Sequence, residues 1–471
     1  MSATPTAAAE PPPESLFAPG RRALSIGAVA LITMMAFEAL AVTTAMPAIA
    51  LALDGLTLYA LAFGGALASA IVSMTAAGMA CDRFSPARSL AVGAALFFIG
   101  LCQAGFATDM SGLVLGRIVQ GLGSGAIGVV LYVVIGRVLP PVLRPRMFAL
   151  LATAWVLPAL VGPALAGWMV AAWGWPAVFF SVATLMPLAT WLVLPAAGAA
   201  AAAPSLTGRT VPSRALERLA WAALAGMAAL ALNQAAAAPA AWPAAGVVAA
   251  ALVLAGSAQR LLPRGSLRAA RGLPSLVALR GLLAAAFFAA EAYLPLWLNL
   301  VRGWSLPQAG LALTLGALCW FAGSQWQARL PDSPARVRAV GAGLALVALG
   351  TAVIAGVIAA GLVGGWALVG WGLAGLGIGI SFPAISVLTL AGAAHDDQGR
   401  WSAALQLGDT ITSTFVMAMC GAAFAAGAST PAFVAVFVGA AALAGLGALL
   451  APRAAGATTA VDLNAAGSPG P

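Results

Sequence analysis

Long apolar runs alternate with short polar segments from residue 23 to residue 451. A helix of about 20 apolar residues crosses the ~30 Å hydrocarbon core of a bilayer, so each run predicts one membrane span. We count fourteen such runs: 23–46, 58–80, 88–107, 112–136, 148–171, 177–197, 219–237, 242–258, 276–299, 306–328, 337–360, 364–391, 401–426 and 432–451. The pattern therefore predicts an all-α integral membrane protein with fourteen spans.

Composition and charge agree with a membrane protein. Of the 471 residues, 62% are hydrophobic and 7% are charged, and the mean hydropathy is +1.01. These values exclude an ordinary soluble domain. Every basic residue is an arginine. With the N-terminus inside, twenty arginines fall on the inner side, Arg280 among them, while Arg302 falls outside and Arg117 within a span. The positive-inside rule thus predicts a multi-pass plasma or inner membrane protein with both termini cytoplasmic.

The two ends of the chain and two internal linkers divide it into regions. Residues 1–20 and 453–471 are polar or rich in Ala, Pro and Gly, and we predict disordered cytoplasmic tails there. Arginine-containing linkers flank spans seven and eight, which predicts an inserted helix pair within 198–275. The remaining spans form two six-helix halves, at 21–197 and 276–452.

The two halves repeat each other at an offset near 250 residues. Ser85-Pro86-Ala87-Arg88 recurs as Ser333-Pro334-Ala335-Arg336 between equivalent spans. Glu38 in span one has a counterpart, Glu291, in span nine. Any one match is weak in a chain rich in Ala and Gly, but together they predict a parallel duplication, which is a transporter architecture.

Span four contains an arginine inside an apolar helix. Arg117, Gln120 and Ser124 follow one another at i, i+3 and i+7, so they share one helical face. An arginine in hydrocarbon costs roughly 3 kcal/mol or more, and it persists only where it faces protein, water or a counter-charge. We interpret the stripe as the lining of a pathway. The alternative is a buried arginine that only joins helices.

Three carboxyl groups lie well within spans: Glu38, Glu291 and Asp409. Burial favours the protonated form of a carboxyl group, and an approaching cation favours the ionised form. Protons and a cationic substrate can therefore compete for one site, which predicts proton coupling at these residues. Gln406 lies on the same helical face as Asp409. The alternative is that each acid is a neutral, hydrogen-bonded packing residue.

Three motifs resemble the major facilitator superfamily and, more narrowly, its fourteen-span drug:proton antiporters. Residues 78–88, Gly-Met-Ala-Cys-Asp-Arg-Phe-Ser-Pro-Ala-Arg, resemble the loop motif between spans two and three. Residues 115–123, Leu-Gly-Arg-Ile-Val-Gln-Gly-Leu-Gly, resemble the span-four motif. Residues 158–167, Pro-Ala-Leu-Val-Gly-Pro-Ala-Leu-Ala-Gly, resemble the span-five antiporter motif. The resemblance covers residues 21 to about 452, and it implies the major-facilitator fold of two six-helix halves plus an inserted two-helix hairpin.

The resemblance also implies roles for gating residues. Gly78, Asp82 and Arg83 match the loop motif, whose members latch the two halves together. Gly162 and Pro163 belong to the span-five motif, which implies a close helix interface that seals against proton leak. The alternatives are positive-inside anchoring for the loop and an ordinary proline kink in span five.

The resemblance further assigns Arg117 to proton transfer, and we expect it to pair with Glu38. Aromatic faces often line cavities for organic cations, and Trp155 and Tyr293 are our candidates. Gln120, Ser124 and Gln406 complete the predicted substrate cavity. No cofactor or metal site is expected, since the only histidine lies in a loop.

These features predict a proton-coupled secondary transporter that exports small amphipathic compounds by alternating access. The alternatives are a proton symporter that imports a metabolite and an exporter of lipids or envelope glycolipids. A membrane enzyme would need a nucleophile or base near a membrane face, and an ATP-driven pump would need a phosphate-binding Lys, which the chain lacks. The expected partners are a small-molecule substrate, protons and the lipid bilayer, without nucleic acid, and a monomer is compatible with them.

Overall fold

The computed structural model describes residues 15–140, 143–202, 213–237, 244–330, 333–393, 398–425 and 427–457. In these ranges the regular structure is entirely helical. The α-helices are α1 (Arg22–Ala52), α2 (Tyr59–Arg83), α3 (Pro86–Gly105), α4 (Met110–Val138), α5 (Arg144–Thr153), α6 (Val156–Trp173), α7 (Pro176–Ala202), α8 (Ser213–Ala237), α9 (Ala244–Leu261), α10 (Leu273–Leu300), α11 (Leu306–Ala328), α12 (Ser333–Ala359), α13 (Gly365–Gly392), α14 (Gln398–Ala423) and α15 (Thr430–Leu450).

The helices follow the predicted spans closely. Within the described residues, ten helices are long and apolar enough to cross a membrane, and two shorter apolar helices lie at Leu157–Trp173 and Ala245–Leu261. The all-α membrane class is therefore confirmed, whereas the count of fourteen spans stays a prediction. Both α5 and α6 overlap predicted span five.

The helices pack as two groups joined by an inserted pair. In the first half, α4 packs against α2 and α3, and α1 against α6 and α7; in the second half, α13 packs against α11 and α12, and α10 against α14 and α15. The halves meet where α6 packs on α11 and α2 on α14. Helix α8 of the inserted pair packs on both α2 and α14, so it bridges the halves.

Hydrogen bonds identify the two ends of the bundle. At the arginine-rich face, Arg137 donates to the Cys81 carbonyl at 3.0 Å, and the Gly272 amide donates to the Arg453 carbonyl at 3.0 Å. At the opposite face, the turn after α1 brings Gly55 against Met110, the first residue of α4. Asp109 caps α4 at this face by accepting from the Gly112 amide at 2.8 Å.

Span five is interrupted, but not where the sequence predicts a kink. Pro163 lies inside the continuous helix α6, whereas the chain breaks between Thr153 and Val156. Pro158 has no amide hydrogen, so it cannot donate to the Ala154 carbonyl four residues earlier. Thr33 of α1 donates to that carbonyl instead, at 3.3 Å. The side chain from a neighbouring helix therefore stabilises the break.

Helical structure also extends past the predicted end of the second half. Residues Ala451–Ala457 form a short 3-10 helix. Arg453 donates from its guanidinium to the carbonyls of Arg268 and Ala269, at 3.0 and 3.3 Å. The first residues of the predicted tail, 453–457, are therefore helical. Most of both predicted tails, and part of the first linker, lie outside the described residues.

Candidate functional site

An ion pair is buried in the centre of the first half. Arg117 of α4 donates from Nη1 to the Glu38 carboxylate of α1 and to Gln120 Oε1 at 2.7 Å. Its Nε donates to the Ala62 carbonyl of α2 at 3.3 Å. Glu38 is 5% exposed and Arg117 is 7% exposed. The pairing expected from the sequence is present, and it joins three helices through one guanidinium.

The pathway face of α4 continues beyond this pair. Ser124 is half-buried and donates only to its own helix, at the Gly121 carbonyl. Gly128, one turn further on, faces open space. Tyr132 is 40% exposed and stacks on Phe148, with ring centroids 4.9 Å apart. The face that begins at Arg117 therefore becomes more accessible toward the arginine-rich end of α4.

A second buried ion pair lies in the second half, and the sequence did not predict it. Arg280 of α10 donates from Nε to Asp409 Oδ2 of α14 at 3.0 Å. Its Nη1 donates to Ser386 Oγ at 2.8 Å and to the Phe382 carbonyl of α13 at 3.1 Å. The sequence counts Arg280 among the inner-side charges that set topology. The structure places it inside α10, where its side chain is only 9% exposed.

Glu291 differs from the other two buried acids. It is half-buried on α10. In the part of the chain that the structure describes, neither arginine pair includes it. Gln406 is also half-buried, one turn before Asp409 on α14. The structure therefore divides the three predicted coupling acids into two paired with arginine and one that is not.

An aromatic cluster closes the opposite face between the halves. The Tyr59 hydroxyl of α2 donates to the Ala292 carbonyl of α10 at 2.6 Å. The Tyr59 and Tyr293 ring centroids are 5.3 Å apart, and Tyr293 lies 4.7 Å from Phe424. Tyr293 was a predicted cavity residue. It is fully buried and its hydroxyl has no hydrogen-bond partner among the described residues, so it belongs to this closure.

The predicted gating residues of span five lie at helix contacts. A Cβ at Gly162 would meet Phe37, the neighbour of Glu38, at 3.4 Å. A Cβ at Gly310 of α11 would collide with the Pro163 carbonyl. The second contact joins the two halves by backbone approach, as the span-five motif implies.

Three further predicted site residues, Trp155, Gly78 and Arg83, are not among the partners of either ion pair. Trp155 is 46% exposed at the break between α5 and α6. Gly78 lies near the arginine-rich end of α2, where a Cβ would meet only Val129, at 3.9 Å. Arg83 is exposed, with its guanidinium 5.6 Å from the Phe84 ring centroid. The Asp82 side chain lies outside the described residues.

A groove of about 490 Å³ lies between α2, α4 and α8. Its lining is mostly apolar, with Leu61, Ile118 and Leu230 along it and Gln234 at its edge. Neither ion pair contributes to the lining. The groove is therefore separate from the charged sites.

Comparison with solved structures shows a shared fold. A peptide transporter POT in complex with sulfate superimposes with a TM-score of 0.64 at 16% identity, covering 91% of this chain and 94% of that chain. The POT family transporter PepTSo gives 0.67 at 15% identity, with 93% and 98% covered. A POT family transporter in complex with 5-aminolevulinic acid gives 0.66 at 13% identity, with 91% and 95% covered.

Sequence comparison adds a family assignment. The MFS-type transporter gkaD of Penicillium citrinum is 27% identical over 174 residues, which are 36% of this chain and 30% of that protein. The match thus spans less than a third of the relative. The family model of the Major Facilitator Superfamily matches residues 26–415. The chain therefore belongs to the Major Facilitator Superfamily and is a multi-pass membrane transporter.

Proposed function

We propose that this transporter exports small amphipathic compounds in exchange for protons, by alternating access of its two halves. The main support for this proposal is the Glu38–Arg117 ion pair, which is buried between α1 and α4. Arg117 also donates a hydrogen bond to Gln120. A buried ion pair is costly to break on one side only. Protonation of Glu38 releases Arg117 and changes the contacts between α1, α2 and α4, so it can couple proton binding to helix movement.

One closed region and one more accessible region support alternating access. The aromatic cluster of Tyr59, Tyr293 and Phe424 closes the opposite face. The exposed Tyr132 and the open space beside Gly128 lie toward the arginine-rich face. This arrangement corresponds to a state that is more open on the side predicted to be cytoplasmic, which is the side where an exporter binds its substrate.

The test uses inverted membrane vesicles with an acid-inside pH gradient. A panel of lipophilic cations, anions and neutral compounds is added, and collapse of the gradient is followed by dye fluorescence. We expect several compounds to release protons with the wild type and none with Glu38→Gln. Glu217→Gln is the matched control, because Glu217 is exposed at the start of α8. Proton release that is unchanged by Glu38→Gln contradicts the role of Glu38.

A proton symporter that imports a metabolite is the second candidate. Its support is the similarity in fold to peptide transporters. Right-side-out cells distinguish the two directions. Proton-dependent uptake of a metabolite, together with no substrate-driven proton release from inverted vesicles, would favour the symporter. Export of lipids or envelope glycolipids stays a prediction of the sequence.

A further inference from the structure

The Arg280 guanidinium has hydrogen-bonding capacity that its neighbours do not use. The Nε and Nη2 groups of an arginine lie on one edge and together fit the two oxygens of a carboxylate. Asp409 takes only Nε, while Ser386 and Phe382 take Nη1. Among the described residues, Nη2 has no acceptor, and Asp409 Oδ1 has no donor. Asp409 therefore occupies half of the carboxylate-binding edge.

An aromatic ring of the second half lies over this guanidinium. Its Cζ lies 3.1 Å from the Phe382 ring centroid. A flat ligand bound at Arg280 would contact this ring.

The site is accessible from one face of the bundle. Arg280 lies about 10 Å along α10 from Leu273, at ~1.5 Å per residue, on the arginine-rich side. The Asp409 side chain is 16% exposed, about twice the 7% of Glu38. Tyr132 and Gly128 lie on the more accessible part of α4, toward the same side. A solute that enters there meets Arg280 before it reaches Arg117.

We propose that Arg280 binds the carboxylate of an anionic aromatic substrate, and that Asp409 competes with that carboxylate for the Nε–Nη2 edge. One guanidinium balances one carboxylate at a time. Substrate binding therefore requires the Asp409 carboxylate to move away from this edge. The assignment rests on the proposed transport function and names the substrate class of its second-half site.

Because the two carboxylates compete, substitutions at Arg280 and at Asp409 should change substrate affinity in opposite directions. Arg280→Gln removes the carboxylate-binding group, so substrate affinity falls. Asp409→Asn removes the competing charge and leaves Arg280 in place, so substrate affinity rises. A salt bridge with only a structural role would weaken binding in both variants, because either change disturbs the same helix contacts.

Equilibrium dialysis measures the binding of labelled naphthoate to the purified full-length protein in detergent. The comparison probe is naphthylmethylammonium, which has the same ring and the opposite charge. We expect naphthoate to bind the wild type, to bind at least about tenfold more weakly to Arg280→Gln, and to bind more tightly to Asp409→Asn. Arg264→Gln is the matched control, because Arg264 is exposed in the linker before α10.

The double variant Arg280→Gln/Asp409→Asn distinguishes loss of the binding group from misfolding of Arg280→Gln. It leaves no unpaired charge in the site, so it should fold and still fail to bind naphthoate. Unchanged naphthoate affinity in Arg280→Gln, weaker affinity in Asp409→Asn, or preferential binding of naphthylmethylammonium would overturn the proposal. Because binding is measured without a pH gradient, naphthoate binding without proton release in vesicles contradicts only the antiport function.

Discussion

The two buried ion pairs use the same chemistry in different surroundings. Arg117 and Glu38 lie in the first half, about 10 Å along α4 from its end at the opposite face, which the aromatic cluster closes. Arg280 and Asp409 lie at a similar depth from the arginine-rich face, and the Asp409 side chain is more exposed than that of Glu38. The first guanidinium is held by Gln120 and the Ala62 carbonyl as well as its carboxylate. The second keeps one donor group, Nη2, without an acceptor among the described residues. We infer that the first pair changes the conformation and the second meets the substrate.

Removing the arginine of each ion pair should give the largest difference in stability between the two pairs. Arg117→Met leaves Glu38 buried without a partner, which should lower the free energy of unfolding by about 3–5 kcal/mol. Arg280→Met should cost less, because the partly exposed Asp409 side chain can be hydrated. Thermal unfolding in detergent measures both. The double variant Glu38→Gln/Arg117→Met should regain most of the lost stability but no transport. Equal losses at the two arginines would remove the distinction between the pairs.

The contact between the halves at α6 and α11 gives the next prediction. Gly310→Ala places a Cβ against the Pro163 carbonyl, so we expect a loss of about 1–3 kcal/mol and slower transport, because the helices must separate. Gly128→Ala is the matched control, since its new methyl group meets open space. Transport rate and unfolding midpoint are measured for both. Normal transport by Gly310→Ala would exclude a close interface at this point.

The aromatic closure is tested by a pair of single-atom changes. Tyr59→Phe removes the hydrogen bond to the Ala292 carbonyl, and we expect a loss of about 0.5–1.5 kcal/mol. Tyr293→Phe removes a hydroxyl that has no partner among the described residues, so stability should stay the same or rise. The unfolding midpoints of the two variants decide this. A larger loss for Tyr293→Phe would show that its hydroxyl, not that of Tyr59, holds the closure.

The first ion pair was predictable from sequence, and the second was not. Arg117 stands out because it is the one charged residue in predicted span four, 112–136. Arg280 follows the linker arginines Arg268 and Arg271, so charge counting groups it with them. The usable signal was its position seven residues into α10, with apolar residues on both sides. Depth within a helix, rather than distance from other arginines, separates a buried arginine from a topological one.

The break in span five shows what pattern alone cannot supply. The sequence offers two prolines, Pro158 and Pro163, and either one can interrupt a helix. The break forms near Pro158 because Thr33 of α1 hydrogen-bonds the Ala154 carbonyl that the proline leaves unpaired. At Pro163 the helix continues, and its carbonyl lies against Gly310. Which proline interrupts the helix is decided by tertiary partners, and those are not visible in local sequence.

The smallest predicted effect concerns the inserted pair, whose α8 bridges the halves. Asn233 is 1% exposed, and its amide donates to the Ala229 carbonyl at 2.9 Å and to the Thr414 carbonyl of α14 at 3.4 Å. Asn233→Ala removes one long contact between α8 and α14 while α8 stays packed on α2, so we expect a loss of about 0.5–1 kcal/mol. Gln234→Ala, at an exposed neighbouring position, should change nothing. A loss of unfolding free energy above that range for Asn233→Ala would mean that α8 holds the halves together as firmly as the aromatic closure does. The inserted pair would then have to move with the second half during transport.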